Sequence, residues 1–257
     1  MNTAKLYNLV LVRFFILLLI FVFFAGQNKG QNFIDKTDSR LKLIGQYKLL
    51  LPQPSGLELG ENGKFLWTVS DENSTIYKIS KKGEILETIE IAENDIEGVS
   101  VYKEHGLCVI NERERSVIFL DSNRNVTNKI YLKLKGKINK GIEGIAFNDR
   151  NGHLFILNEK NPKLLMELDD NLKVIKKTEL NFSKDCSDLH YDSDYGDLWI
   201  LSDESRTLYK CDTKGVVKDK YKIDIPQMEG LAIDRKNNLI YIVSDKTANL
   251  YVFFLKK

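Results

Sequence analysis

From Leu41 onward the chain is a series of short apolar–polar alternating runs separated by turn signals. Gly56–Leu59, Phe65–Val69, Thr75–Ile79 and Ile85–Ile91 each read as a strand, with turns at Asn62-Gly63 and Lys82-Gly83. The order returns with Leu107–Ile110, Val117–Leu120 and Val126–Leu134, and again with Leu154–Leu157, Leu164–Leu168 and Val174–Leu180. It returns once more with Leu198–Leu201, Thr207–Cys211 and Val216–Ile223. A last unit has only three strands, Gly230–Ile233, Leu239–Val243 and Asn249–Phe254. Leu41–Leu50 supplies one strand ahead of the first unit. The count predicts an all-β, five-bladed β-propeller over residues 41–257, in which the N-terminal strand completes the last blade and removes a free edge.

The units share a signature. Their starts read Ser55-Gly56-Leu57, Glu97-Gly98-Val99, Glu143-Gly144-Ile145, Ser187-Asp188-Leu189 and Glu229-Gly230-Leu231, spaced 42, 46, 44 and 42 residues apart. Each is followed by a second pair: Ser70-Asp71, Asn111-Glu112, Asn158-Glu159, Ser202-Asp203 or Ser244-Asp245. A period of this length belongs to propeller blades, none of which buries its apolar faces alone.

In a blade the first strand lines the central channel and the second runs back beside it. The two signatures therefore meet at one rim. Glu97, Glu143, Asp188 and Glu229 are expected around the channel mouth, with Asp71, Glu112, Glu159, Asp203 and Asp245 a strand further out. Crowded carboxylates need raised pKa values or a cation. Calcium suits such a ring because it takes six to eight oxygen ligands in flexible geometry. Zinc does not, since His105, His153 and His190 fall at unrelated repeat positions and no thiol joins the ring. The competing reading is a structural ring whose acids cap backbone or pair with lysines. His190, on a channel strand, is the weak candidate for a catalytic base. Trp67 and Trp199 hold matching places in second strands and are expected to pack between blades.

Composition narrows the function classes. The chain has 257 residues, 43% of them hydrophobic, four prolines and a formal charge of +2 with both signs interspersed. No basic stripe points to nucleic acid. Of the three cysteines, Cys108 reads as a core side chain, while Cys186 and Cys211 are either free or paired with each other.

The first 26 residues are a separate matter. Phe14–Ala25 is an unbroken apolar run, and with Leu9–Val12 it reaches 17 residues interrupted only by Arg13. It reads as one hydrophobic membrane-targeting helix, either a cleaved signal peptide or an uncleaved anchor holding the chain to the membrane through residues 9–25. Both readings place the folded domain outside the cytoplasm, secreted or tethered at the cell envelope. Residues 27–40 are polar and read as a linker.

The Ser55-Gly56-Leu57 start, the Glu-Gly starts at Glu97, Glu143 and Glu229, and the Ser-Asp or Asn-Glu strand ends resemble the SdiA-regulated protein family, itself distantly similar to NHL-repeat propellers. The resemblance covers about residues 41–257. It implies a five-bladed propeller with a calcium site behind a membrane-proximal start. The fourth unit departs from the Glu-Gly pattern. The function expected is a calcium-binding module that engages a protein or glycan at the cell envelope. The alternative is a calcium-dependent hydrolase of esters or lactones at the channel, which requires a base such as His190 near the cation.

Overall fold

The computed structural model describes residues 36–134 and 141–256. The hydrophobic segment at Phe14–Ala25 and all but the last five residues of the linker lie outside the described residues.

Strand β1 is Leu41–Lys48. The first blade follows as β2 (Pro54–Leu59), β3 (Leu66–Ser70), β4 (Thr75–Ile79) and β5 (Ile85–Glu90). The second is β6 (Ile96–Tyr102), β7 (Gly106–Asn111), β8 (Ser116–Leu120) and β9 (Val126–Tyr131). The third is β10 (Ile142–Asn148), β11 (His153–Asn158), β12 (Leu164–Leu168) and β13 (Val174–Glu179). The fourth is β14 (Asp188–Asp192), β15 (Asp197–Ser202), β16 (Thr207–Cys211) and β17 (Val217–Lys222). The fifth contains β18 (Met228–Asp234), β19 (Leu239–Ser244) and β20 (Asn249–Leu255). Each of the five sheets has four strands, and β1 is the fourth strand of the last, antiparallel to β20.

Burial follows strand position. Every residue of β3, β7 and β15 is buried, because these inner strands are covered on both faces by neighbouring blades. The outer strands β9 and β13 are exposed along most of their length and carry polar residues. The core is accordingly five apolar clusters, each lying between two consecutive blades. Trp199, Tyr221, Ile240 and Phe253 fill the seam between blades four and five, and Trp67, Val99 and Ile118 that between one and two. Both tryptophans pack as core side chains, as their matching repeat positions predict.

The innermost strands carry a second regularity. In β2, β6, β10 and β18 the register slips by one residue at the Ser-Gly or Glu-Gly pair. In β14 it does not: pairing runs unbroken from Asp188↔Leu201 to Asp192↔Asp197. A bulge bends its strand and re-aims a side chain. The glycine is required by close approach. A Cβ on Gly98 would lie 2.3 Å from the carbonyl oxygen of Glu143 in the next blade. One on Gly56, already at φ +56°, would lie 2.7 Å from that of Glu97. The ring of inner strands is thus a seam of backbone against backbone.

Candidate functional site

All five inner strands begin at one mouth of the channel, here the entry mouth, and end at the exit mouth. Glu97, Glu143 and Glu229 project from the bulges of blades two, three and five at the entry mouth, each half-buried. Their equivalents in blades one and four are serines, Ser55 and Ser187. Burial lifts Glu97 well above the usual carboxylate range, and the charges of Asp71, Glu112 and Glu229 add to this against a hydrogen bond from Ser55. Burial also lifts Glu143 well up, reinforced first by Glu97. Glu229 is pushed up to about 8, first by burial and then by Asp203, Asp245 and Asp185.

Cations at this rim serve the outer acids. Lys160 bridges Glu159 at 2.5 Å and Glu204 at 2.8 Å, and Arg206 stands 3.9 Å from Asp203. Among the described residues none of Glu97, Glu143 and Glu229 forms an ion pair. Two outer acids instead fasten one blade to the next. Glu112 accepts the amide of Gly141 at 2.7 Å, and Asp203 that of Met228 at 3.1 Å. Each amide lies just ahead of an inner-strand glutamate. The Ser or Asn before each acid is buried, and all but Ser70 tie down a loop, as Asn158 does by donating to the carbonyls of Lys160 and Pro162.

One cluster at the rim has the spacing of a cation site. Oxygens of Asp71, Asp95 and Glu97 all lie within 4.8 Å of one another. Ligands at about 2.3–2.6 Å from a calcium ion span this distance. Asp95 Oδ2 is buried with no hydrogen-bond partner, and Arg113 approaches it only to 3.6 Å. A buried carboxylate oxygen without a hydrogen-bond partner beside two further carboxylates, with no nitrogen or sulfur ligand among them, is a donor set that fits a hard divalent cation. Asp95 escaped the sequence reading because it precedes the repeat signature by two residues, where among the other units only the fourth carries an acid, Asp185. Its left-handed φ of +66° is the local mark of a specialised turn.

Asp188 does different work from the three glutamates. Register aligns Ser187 with the glutamates and Asp188 with the glycines. Its carboxylate enters the channel, where Oδ2 accepts the amides of Leu231 at 2.7 Å and Leu57 at 3.2 Å while Oδ1 accepts that of Leu189 at 2.8 Å. Inner strands are sheet edges, so their channel-facing amides need partners. Asp188 provides one acceptor for blades one, four and five together. Burial raises its pKa, opposed by these three amides.

His190 follows on the same strand, away from the entry mouth. It lines a cavity of about 600 Å³ at the exit mouth with Glu58, Ser100, Phe147 and Asp149. Ser100 Oγ donates to Glu58 Oε2 at 2.9 Å, and the Leu59 amide donates to Oε1 at 2.7 Å. Burial raises Glu58 to about 7 and lowers His190 to about 4. The structure therefore separates His190 from the acid rim, with the Asp188 cross-tie between them. His105 in the β6–β7 turn pairs with Glu61 in the β2–β3 turn, and His153 on β11 with Glu167 on β12.

Solved propellers share this architecture at low identity. A glutaminyl cyclase of Myxococcus xanthus is 13% identical, superposes with a TM-score of 0.67, and matches over 84% of this chain and 96% of its own. A luciferin-regenerating enzyme matches at 12% identity, TM-score 0.54, over 84% of this chain and 95% of its own. Virginiamycin B lyase from Staphylococcus aureus matches at 14% identity, TM-score 0.51, over 82% of this chain and 73% of its own. At such identity the likeness is one of fold. The sequence itself matches the SdiA-regulated family over residues 50–255, which span nearly the whole propeller with all five inner-strand starts and all five acidic strand ends, and the chain belongs to that family.

Proposed function

We propose that this protein is an extracytoplasmic, calcium-binding propeller that serves as a binding module for a protein or glycan at the cell envelope. The observation that carries the cation is the entry mouth: Glu97, Glu143 and Glu229 are each lifted by burial and by neighbouring carboxylates, and none has an ion-pair partner among the described residues. Glu97, with Asp71 and Asp95, would hold the ion, and Glu143 and Glu229 would complete or balance its charge. The cation would supply an electrostatic anchor that fixes the rim loops and draws an acidic or hydroxyl-rich partner group. Asp188 contributes by holding the inner strands rather than by offering a free oxygen. The location rests on the apolar run at Phe14–Ala25, which would tether the chain or be cleaved.

The hydrolase alternative draws support from enzyme names among the fold neighbours. Against it, none of the three histidines stands beside the acids of the entry mouth. The deciding experiment is calcium titration calorimetry on the full chain and on Glu143→Gln. Saturable binding, weakened at least tenfold by the substitution, supports the proposal. Absence of binding in the unaltered chain leaves the acids structural and sinks it.

A further inference from the structure

The exit-mouth cavity lies beyond the Asp188 cross-tie, and an inference about it does not depend on calcium at the entry mouth. The cavity is built rather than incidental. Its floor is the part-buried Glu58 and the buried His190, whose Oε1 and Nδ1 stand 3.6 Å apart, too far for a hydrogen bond. His190 is only 8% exposed, lines the cavity, and its Nδ1 has no hydrogen-bond partner. Such an atom inside a protein is costly unless something completes it.

The wall chemistry says what would complete it. Asp192 pairs with Arg235 at 3.0 Å and Asp234 with Lys81 at 2.9 Å, so these two acids are neutralised. Glu58, Asp149 and Asp194 then face a single further cation, Lys236. The cavity has an acidic excess, which disfavours anions and favours a positively charged guest. Glu58 Oε1 accepts only the Leu59 amide and has a second lone pair available. The ring of Phe147, partly buried and packed on Tyr102 at 5.0 Å, gives the wall an apolar face. Acceptors at the floor beside an apolar wall suit a compound with an ammonium head and a short hydrocarbon body.

We infer that this cavity is a small-molecule site for a primary amine, whose N–H groups are received by Glu58 Oε1 and His190 Nδ1 while its hydrocarbon part packs on Phe147. The site differs from the entry mouth in what matters for recognition: one deep carboxyl instead of a ring, and a nitrogen acceptor beside it.

The test is a titration of the full chain, followed by NMR, with n-butylamine, putrescine and glycinamide; n-butanol and butyrate serve as controls of matched size. At least one amine should bind saturably while both controls do not, equally in calcium and in EDTA. Glu58→Gln and His190→Phe should each weaken it at least tenfold. If those variants fold poorly, the wild-type spectrum decides, because amine binding must move the ring-proton resonances of His190. No saturable amine binding by the wild-type chain, equal binding of n-butanol, or amine binding that leaves His190 unmoved overturns the inference.

Discussion

The carboxylate of Asp188 in blade four accepts the amide of Leu231 in blade five at 2.7 Å, inside the channel. The same oxygen reaches Leu57 of blade one, so a single side chain closes the gap among three inner strands. It occupies the place a glycine holds in the other units. It also separates an acidic mouth from a cavity containing the one channel histidine.

Removing that carboxylate should weaken the whole ring. Asp188→Ala leaves three buried amides without an acceptor, at roughly 1–3 kcal/mol for each unsatisfied group before relaxation. A total loss of about 3 kcal/mol is expected in urea denaturation, with Asp188→Asn milder because its amide oxygen still accepts. A loss below about 0.5 kcal/mol for the alanine variant would show that water replaces the carboxylate freely.

The seam glycines make a steric prediction. Gly98→Ala drives a methyl group to 2.3 Å from the Glu143 carbonyl, a backbone atom that cannot swing aside. Overpacking of this kind costs about 1–3 kcal/mol and more where backbone must move. Gly152→Ala, in the β10–β11 turn at φ +77° with its nearest neighbour at 3.4 Å, should cost only about 1 kcal/mol of backbone strain. Paired thermal melts test the ranking, and an equal effect at both positions would remove the seam from the account.

Acid-rim titration has a definite sign. Glu229 is raised to about 8 from 4.5, so the folded state binds its proton more tightly than the unfolded chain does. The stability it contributes is complete below about pH 4.5 and is lost as pH climbs through about 8. In EDTA, the melting temperature should fall between about pH 5 and 8, by an equivalent on the order of 1–3 kcal/mol once water in the mouth is allowed for. Calcium should restore stability more at the upper end, since only deprotonated ligands bind it, with proton release in calorimetry. A calcium effect of equal size at both pH values would contradict this linkage.

The three cysteines are free and buried, including Cys186 and Cys211, which share one apolar cluster. Burial pushes both of these thiols up to about 12 and raises Cys108 as well. Thiolate is the reactive form, so a disulfide reagent such as DTNB should titrate none of them rapidly in the native protein and all three in denaturant. Fast native reaction at any one would mean its seam opens locally.

The amino-acid sequence by itself determined the strands, the blade count and the meeting of two acidic signatures at one rim. Those follow from short apolar runs bounded by turn residues and a repeat near 44 residues, both legible along the chain. Most strand bounds came within a residue or two, as with Thr75–Ile79 and Thr207–Cys211, while the strand expected over Val126–Leu134 stops at Tyr131. Three matters needed the tertiary structure. Asp188 reads as a shortened glutamate, but the unbroken register of β14 puts it in the glycine position and turns it to amides from other blades. Asp95 joins Asp71 and Glu97 only because a loop returns beside the next blade's rim. His190 is a channel residue in sequence, yet its depth along β14 carries it to the opposite mouth, against Glu58 from blade one. Each depends on contacts between residues far apart in sequence, which the closing of the ring fixes and no local pattern records.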